Sequence, residues 1–474
     1  MSREQFAIGS QRRVFLFLWL VFAFLLTACA SQAGAANLPA TSNQPRSTSD
    51  KLQTTSTQPP ASSTPSVQPS ITPTASPSST PTFSPTPTVP GPPSDHHLIP
   101  DSEVVFSASA ADFDTAAYLE EAGGFLGSYR QYLMITAWTD APTVIDMVAI
   151  ENSINPRLLV ALIEYQCGCV LGGNDLDPDN FTSALNAKQA QRQDFYGQLI
   201  WAIHELSEGY YGWKDGTLTE ISFSDGTIRP LEGDLNPGSV ALMYLFSLLY
   251  EGEDWEQAID PQTGFPALYA EMFGNPWERA ASIEPLVPAA AAQPELTLPF
   301  EPGVKWAFTG GPHKSYESNG PAAALDFAPP SDAKGCLPSP EWVTAMAPGL
   351  IVRSEMGIVV QDLDGDGSEH TGWNLVYVHI GTDGRVPVGT TLQTGEPVGH
   401  PSCEGGRATG THVHIIRKLN GEWIPADGPI PFVMDGWTAH AGEELYLGTL
   451  TRGDEIIISS IFSAGTSHII REEP

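Results

Sequence analysis

The feature that most limits the fold of this chain is a long low-complexity segment near its N-terminus. From Ser31 to about Pro93 the sequence consists almost entirely of Ser, Thr, Pro, Gln and Ala. Such a segment carries too little apolar surface to offset the entropy lost on ordering, and its prolines favour extended backbone. We therefore predict that residues 29–100 form a disordered tether and that any folded core is built from residues 101–474.

The N-terminal residues have the features of an export signal. Arg12 and Arg13 precede an apolar run that ends at Leu26, which suits a signal peptide and is short for a membrane-spanning helix. The run leads into Leu-Thr-Ala-Cys29, which resembles the lipobox of bacterial lipoproteins. That resemblance implies that residues 1–28 are a lipoprotein signal peptide and that Cys29 is acylated. The protein would then be held on the outer side of the cytoplasmic membrane or at the cell surface. An ordinary cleaved signal, with Cys29 incidental, is the alternative.

The chain is strongly acidic, with 22 Lys and Arg against 55 Asp and Glu. We expect no nucleic-acid partner, because phosphate binding relies on clustered basic side chains. The acidity is interpreted as favouring solubility outside the cell.

Residues 101–285 show apolar side chains at spacings of three and four between Gly, Pro and Asn breakers, which predicts an all-α domain of six or more helices. The segment from Asn155 to Ile163 resembles the start of the active-site helix in lysozyme-like lytic transglycosylases. The catalytic Glu of that family corresponds to Gln166 here, and an amide cannot act as a general acid. Glu164, two residues away, faces another side of the helix. We interpret the domain as lysozyme-like but inactive, binding glycan or positioning the enzyme.

Residues 286–299 mix Pro and Ala and are predicted to be a linker. Residues 300–474 contain short runs of alternating apolar and polar side chains bounded by Gly, Pro and Asp, a pattern typical of antiparallel strands. The expected fold class is therefore multidomain, with an all-α domain followed by an all-β antiparallel domain.

The β region carries two imidazoles in Thr-Gly-Thr-His412-Val-His414. Side chains alternate across a strand, so His412 and His414 project to the same face. Two neighbouring imidazoles are costly to bury unless each has a partner, and a zinc ion would supply one. The sequence offers three further candidates for such a site: His313, Asp326 and His379.

The setting of each candidate favours a functional role over packing. His313 lies in a run of breakers, Gly-Gly-Pro-His, where an imidazole has no packing role. Asp326 is a carboxylate inside an apolar strand, which is costly unless it is paired or bound to metal. His379 closes a strand, on the same alternation as Leu375 and Tyr377. Two imidazoles and one carboxylate with an open fourth position are typical of catalytic zinc.

The segment from Phe300 to Trp437 resembles the LasA- and lysostaphin-type zinc endopeptidases, a LytM-like family that cuts peptidoglycan peptides. The motifs that carry the resemblance are Gly-Gly-Pro-His313, Leu-Asp326-Phe, Val343 to Val352, Gly372 to His379, Val388 to Gly399 and Thr409 to His414. The resemblance implies three zinc ligands and two histidines that act on the water and the developing oxyanion. The ligands are His313, Asp326 and His414, and the catalytic pair is His379 and His412.

The expected function is that of a zinc-dependent metalloendopeptidase that hydrolyses peptide bonds in peptidoglycan. The chain has no His-Glu-x-x-His motif, so histidine rather than glutamate would serve as the base. Two alternatives stay open. One is a non-catalytic wall-binding or regulatory lipoprotein with a peptidase fold, and the other is a protease for glycine-rich proteins.

Two further features concern ions and disulfides. Asp362, Asp364 and Asp366 begin a loop like that of calcium-binding EF-hands, but its twelfth position is Trp rather than Glu. Bound calcium and a solvated acidic turn are both compatible with it. Export favours disulfides, and we prefer the pairing of Cys336 with Cys403. Cys167 and Cys169 would form a second disulfide or remain two free thiols.

Overall fold

The computed structural model describes residues 96–173, 176–331 and 334–473. The predictions of a signal peptide, of acylation at Cys29 and of a tether up to residue 95 lie outside these residues. In the first part of the described chain the helices are α1 (Thr115–Ala122), α2 (Ala141–Asn152), α3 (Pro156–Cys167), α4 (Phe195–Asp215), α5 (Pro237–Leu249), α6 (Gly252–Ile259), α7 (Phe265–Phe273) and α8 (Pro276–Ala280).

Two short antiparallel hairpins interrupt the helical part, so the expectation of purely α structure is corrected to mainly α. They are β1 (Arg130–Leu133) with β2 (Ala137–Asp140), and β3 (Glu220–Ser222) with β4 (Ile228–Pro230). In β1 the side chains alternate between exposed and buried, as expected for a strand with one covered face.

Helix α3 shows how local sequence sets these boundaries. The Asn155 side chain accepts a hydrogen bond from the Arg157 amide at the N-terminus, and Pro156 occupies the first turn, where no helical donor is lost. Gly168 ends the helix in the left-handed conformation with φ 60°. Among the described residues, none of the helices is both long enough and apolar enough to cross a membrane.

The second part of the chain is mostly antiparallel sheet. Its strands are β5 (Lys305–Tyr316), β6 (Asn319–Ala328), β7 (Val343–Thr344), β8 (Gly349–Glu355), β9 (Ile358–Asp362), β10 (Trp373–Val378), β11 (Thr391–Leu392), β12 (Pro397–Gly399), β13 (Val413–Leu419), β14 (Glu422–Trp423), β15 (Val433–Met434), β16 (Trp437–Ala441), β17 (Gly448–Arg452), β18 (Glu455–Ile458) and β19 (His468–Ile470).

The main sheet has nine strands in the order β11-β8-β9-β10-β13-β6-β5-β19, and β14 pairs with β13 beside this path. A four-stranded sheet follows the order β15-β16-β17-β18, and β12 pairs with β7. All of these pairings are antiparallel.

The two faces of the main sheet pack against different parts of the chain. Leu325, Phe327 and Ile415 point into a core made within the β region. Ala324 and Ile416 point to the opposite face and join a core that also contains most of the buried helical residues. One face of the sheet is therefore covered by the helical part.

Hydrogen bonds join the helical part to the sheet. The Trp423 indole N–H donates to the Asn152 carbonyl at 3.2 Å, and the Ser153 hydroxyl donates to the Gly421 carbonyl at 2.6 Å. The turn that carries Gly421 and the strand that carries Trp423 are thus held against the C-terminal end of α2.

Candidate metal centre

Three neighbouring strands bring the predicted ligands together. His313 lies on β5, Asp326 on β6 and His414 on β13, and His414 pairs directly with Asp326 in the β13–β6 register. The sequence separates His313 from His414 by 101 positions, so their proximity depends on the strand order. Asp326 and His414 share the sheet face of Ala324 and Ile416, which is the face covered by the helical part.

The ligand atoms of these residues converge on one point. Asp326 Oδ1 lies 3.0 Å from His414 Nδ1 and 3.4 Å from His313 Nε2, and the two nitrogens are 3.0 Å apart. Donors about 2.0–2.1 Å from a tetrahedral zinc are about 3.3 Å from one another. The separations in the cluster are therefore those that a small divalent ion requires.

Gly310 allows the carboxylate to take this position. A Cβ at residue 310 would lie 2.5 Å from Asp326 Oδ2, so only glycine leaves room for the Asp326 side chain. This contact is a physical reason for the Gly-Gly-Pro-His pattern that begins at this residue.

All four imidazoles of the cluster share one hydrogen-bond arrangement. His313 and His412 donate from Nδ1 to the Gly311 and Gly410 carbonyls, each at 2.8 Å. His379 donates from Nδ1 to a carbonyl at 2.7 Å, and His414 donates from Nε2 to a carbonyl at 2.8 Å. The carbonyls are those of Glu404 and Ser315, respectively. Because a carbonyl oxygen only accepts, the nitrogen facing it carries the proton.

The positions of these protons bear on whether the residues can bind a metal ion. With the outer nitrogens protonated, His313 Nε2 and His414 Nδ1 present lone pairs to each other and to the Asp326 carboxylate, which is repulsive unless a cation lies between them. Burial opposes ionisation of Asp326, but the neighbouring His313 and His412 hold the pKa of this carboxyl well below its usual value. Burial also opposes protonation of His313, and the charge of Asp326 raises the pKa of that imidazole. The cluster therefore favours a positive charge at its centre.

The two remaining histidines lie beside the ligands. The His379 and His412 rings are 4.4 Å apart, and His412 Nε2 is 3.7 Å from Asp326 Oδ1. Burial and the neighbouring His412 and His414 lower the pKa of His379 to about 3. The His379 ring is therefore neutral near pH 7, and its unprotonated Nε2 can accept a proton.

An aromatic residue that the sequence did not indicate covers the cluster. The Tyr446 ring stacks on His313 with centroids 4.1 Å apart and planes 24° apart. Gly311 N–H donates to the Tyr446 carbonyl, and Tyr446 N–H donates to the Pro312 carbonyl. Tyr446 lies beyond Trp437, where the family motifs end, so no motif pointed to it.

The helical part reaches the strands that carry the ligands. The Lys314 ammonium pairs with Glu208 of α4, and His204 of α4 lies 3.2 Å from the Asn319 amide oxygen. His313, Asp326, His379 and His414 are all buried, while His412 keeps partial exposure. The helical part thus packs against β5 and β6, which carry two of the predicted ligands.

Other residues singled out in the sequence have local partners. In the acidic loop, Asp362 accepts hydrogen bonds from the amides of Asp364, Gly365 and Gly367. The carboxylates of Asp362, Asp364 and Asp366 lie close enough to share an ion. These turn bonds explain the loop without one, and calcium stays a prediction.

The cysteines and the glutamate of α3 also have partners. Cys336 is bonded to Cys403 and Cys167 to Cys169. Glu164 accepts the amides of Val170 and Leu171 at 2.8 and 3.0 Å. The Gln166 amide oxygen accepts the Tyr250 hydroxyl at 3.0 Å.

Comparison with known proteins finds one matching family model and several similar proteases. Residues 97–287 match the family model described as LasA, N-terminal domain. The chain is 24% identical over 346 residues to Protease LasA of Pseudomonas aeruginosa, covering 69% of this chain and 75% of the relative. It is 25% identical over 134 residues to the beta-lytic metalloendopeptidase of Lysobacter enzymogenes, covering 28% of this chain and 74% of the relative.

Among solved structures, the M23 metalloprotease pseudoalterin from the deep sea aligns with a TM-score of 0.30 and 23% identity, covering 35% of this chain and 96% of that one. The named relatives are proteases and metallopeptidases, so they support a peptidase. With the matched N-terminal domain, they show that the chain is similar to LasA/LytM-type metallopeptidases.

Proposed function

We propose that this protein is a zinc-dependent endopeptidase that hydrolyses peptide bonds in peptidoglycan and is held at a membrane through acylated Cys29. The observation that carries the proposal is the shared orientation of the four imidazoles. Each directs one ring nitrogen to a backbone carbonyl, and the other ring nitrogens of His313, His412 and His414 lie 3.0–3.7 Å from Asp326 Oδ1. A set of pre-oriented imidazoles around one carboxylate suits metal binding with proton transfer beside it.

His313, Asp326 and His414 would hold the ion. When bound, zinc supplies Lewis acidity, which polarises a carbonyl and lowers the pKa of water. The backbone carbonyls behind His313 and His414 fix which nitrogen faces the ion and increase its basicity. No reorientation of these two rings is needed for binding, so the site is pre-organised.

His379 and His412 would manage the protons. The neutral His379 can accept a proton at Nε2, because Nδ1 is held by the Glu404 carbonyl. His412 lies against both His379 and the Asp326 carboxylate. From this position an N–H of His412 can donate to a developing oxyanion or to the leaving amine.

Paired measurements of zinc content and wall lysis test the assignment. We expect His414→Ala to lose both zinc and lysis. His379→Ala should keep zinc and lose roughly 10²–10⁴ in rate, because proton transfer contributes about that much. His440→Gln is the matched control, because His440 lies on β16 and contacts the Thr451 hydroxyl outside the cluster. Undiminished zinc and lysis in His414→Ala would refute the site.

Substrate is tested separately by digesting purified peptidoglycan and a glycine-rich protein side by side and mapping the cut bonds by mass spectrometry. The proposal predicts new termini in peptidoglycan peptides that disappear with His379→Ala. Cleavage of the protein alone would favour the glycine-rich alternative. A zinc-loaded protein that cleaves neither substrate would favour the non-catalytic lipoprotein.

The anchor is tested in cells by membrane fractionation. We expect the wild-type protein to sediment with membranes and a clearly larger share of Cys29→Ala to appear in the soluble exported fraction. Equal partition of the two proteins would contradict acylation at Cys29 and would leave the peptidase proposal intact.

A further inference from the structure

We propose that the hairpin formed by β1 and β2 is a membrane-contacting element, which inserts its tip into the surface of a lipid bilayer. Four large apolar side chains are exposed on this short element. The exposed fraction is 57% for Tyr132, 96% for Met134, 83% for Ile135 and 63% for Trp138. Contiguous apolar exposure of this kind marks an interaction surface, whereas single exposed apolar residues are ordinary.

The hairpin is firmly seated on the helical part, so this exposure is built into the fold. Leu133 points into the hydrophobic core, and the Gln131 amide oxygen accepts the Tyr196 amide of α4 at 2.9 Å. At the other end, the Asp140 carboxylate caps α2 by accepting the Thr143 amide at 3.0 Å. The outward face is therefore presented on a fixed base, and binding there requires little ordering.

The side chains on the outward face are arranged in layers. Arg130 pairs with Asp140 at the base, and Tyr132 pairs with Trp138 one step further out, with ring centroids 5.9 Å apart. Beyond them, the tip carries the aliphatic side chains of Met134 and Ile135. A bilayer presents water, then its interface, then hydrocarbon. Charged groups, amphipathic aromatic rings and aliphatic groups suit these three layers in the same order.

This layering distinguishes a bilayer from other occupants. A hydrophobic groove on a protein would not require the aromatic pair to stand between the charged base and the aliphatic tip. The chain also has a formal net charge of −33, which opposes adsorption to an anionic surface by charge. Contact must therefore come from apolar insertion, and we expect it to depend weakly on salt.

The proposed lipid anchor would keep the hairpin near a membrane, so even weak insertion would be sufficient for contact with the bilayer. This contact rests on the anchoring proposed above, because acylated Cys29 would keep a bilayer within reach. From Cys29 to His96 there are 96 − 29 = 67 residues, which span at most roughly 220–240 Å. Within that distance the membrane is present at high effective concentration.

Vesicle flotation tests the hairpin. The full exported chain carries Cys29→Ala, so that no acyl anchor contributes to binding. The probes are vesicles of phosphatidylcholine and vesicles of phosphatidylethanolamine with phosphatidylglycerol. We expect binding to both, and we expect Met134→Ser combined with Ile135→Ser to weaken it at least about tenfold. Brominated lipids should quench the fluorescence of this chain more than that of a Trp138→Phe variant.

The matched control is Ile461→Ser combined with Phe462→Ser, because these side chains are 69% and 82% exposed in a loop of the β region. This control should bind vesicles as the parent chain does. Absence of vesicle binding by the Cys29→Ala chain, or equal loss in both double variants, would overturn the proposal. Concentration-dependent dimerisation that the tip variant alone abolishes would also overturn it, by assigning the hairpin to a second copy. Wall lysis is measured in parallel, so a failed hairpin is distinguished from a failed peptidase.

Discussion

A buried charge network behind the metal centre gives a sharp prediction about stability. The Glu369 carboxylate receives two bonds from Arg353, at 2.8 and 3.1 Å, and one from the Lys418 ammonium at 2.9 Å. The Lys418 side chain is fully buried, and Lys418 lies on β13, four positions after His414. One carboxylate therefore compensates two cations, one of which lies on the strand that carries a metal ligand.

The two variants that remove one partner should differ in cost. Glu369→Gln removes the carboxylate that contacts both Arg353 and Lys418 and leaves two buried charges without their hydrogen-bonded partner, which should cost about 3–5 kcal/mol in the free energy of unfolding. Lys418→Met leaves the two-bond Arg353–Glu369 pair intact and fills the same space, so it should cost about 0–1 kcal/mol. Burial already lowers the pKa of Lys418, which agrees with a small loss when its charge is removed.

Urea unfolding near neutral pH, followed by tryptophan fluorescence, measures both variants. Glu355→Gln is the control, because Glu355 is exposed on the same strand as Arg353, and we expect a change within about 0.5 kcal/mol. Burial alone would raise the pKa of Glu369. Lys418 and Arg353 outweigh burial, so the pKa of this carboxyl lies below its usual value. Its stabilisation is therefore present above its unfolded pKa and lost as pH falls through the folded value. A Lys418→Met cost equal to that of Glu369→Gln would refute the charge-balance reasoning.

Three further predictions concern other parts of the fold. Burial raises the pKa of Glu151 to about 7. The folded protein should therefore lose stability as pH rises from about 4.5 to about 7. Glu151→Gln should regain up to about 3 kcal/mol of unfolding free energy at pH 8. Urea unfolding at both ends of that range measures this, and an unchanged pH dependence would contradict it. Replacing Cys336 and Cys403 with Ser opens a cross-link between residues 67 apart in sequence, which should cost about 4 kcal/mol in chemical denaturation; a loss below about 1 kcal/mol would count against the disulfide. Trp423→Phe removes the bond to the Asn152 carbonyl and should cost about 1–2 kcal/mol. Faster limited proteolysis between the helical part and the sheet would accompany it, and an unchanged urea midpoint would argue against that role.

Local signals in the sequence were sufficient to predict the position of many helices and strands. Asn155 and Pro156 predict the start of α3, and Gly168 ends it, because capping depends on neighbouring residues alone. The β1–β2 hairpin was missed inside the helical part, since its paired positions run only from Arg130 to Asp140 and carry few turn residues. Short strands of this kind are fixed by tertiary packing, here by Leu133 in the core.

The contacts that enclose the metal centre could not be read from local sequence. Tyr446 reaches His313 from a segment more than a hundred positions away, and no periodicity records that contact. The packing of α4 on the hairpin of β5 and β6 is equally non-local, and depends on pairs such as Lys314 with Glu208. The motif resemblance named the cluster residues, but spacing alone contains no information on strand order.

His379 shows how the backbone corrects what alternation would predict. On β10, Val376 and Val378 face the helical part with the metal ligands, while Leu375 and Tyr377 face the other core. A regular strand would place residue 379 with Tyr377, on the face away from Asp326 and His414. The strand instead ends at Val378, and His379 takes a left-handed conformation with φ 66°.

That conformation is unfavourable for an imidazole residue, by roughly 1–2 kcal/mol, and surrounding bonds hold it in place. The Ser402 amide and hydroxyl both donate to the His379 carbonyl, at 2.6 and 3.0 Å, and the Glu404 carbonyl holds the ring. The turn brings the His379 ring to 4.4 Å from His412. Strain kept by several bonds at one residue is typical of functional positions, and here its effect is to move an imidazole from the structural face of the sheet to the face that carries the metal centre.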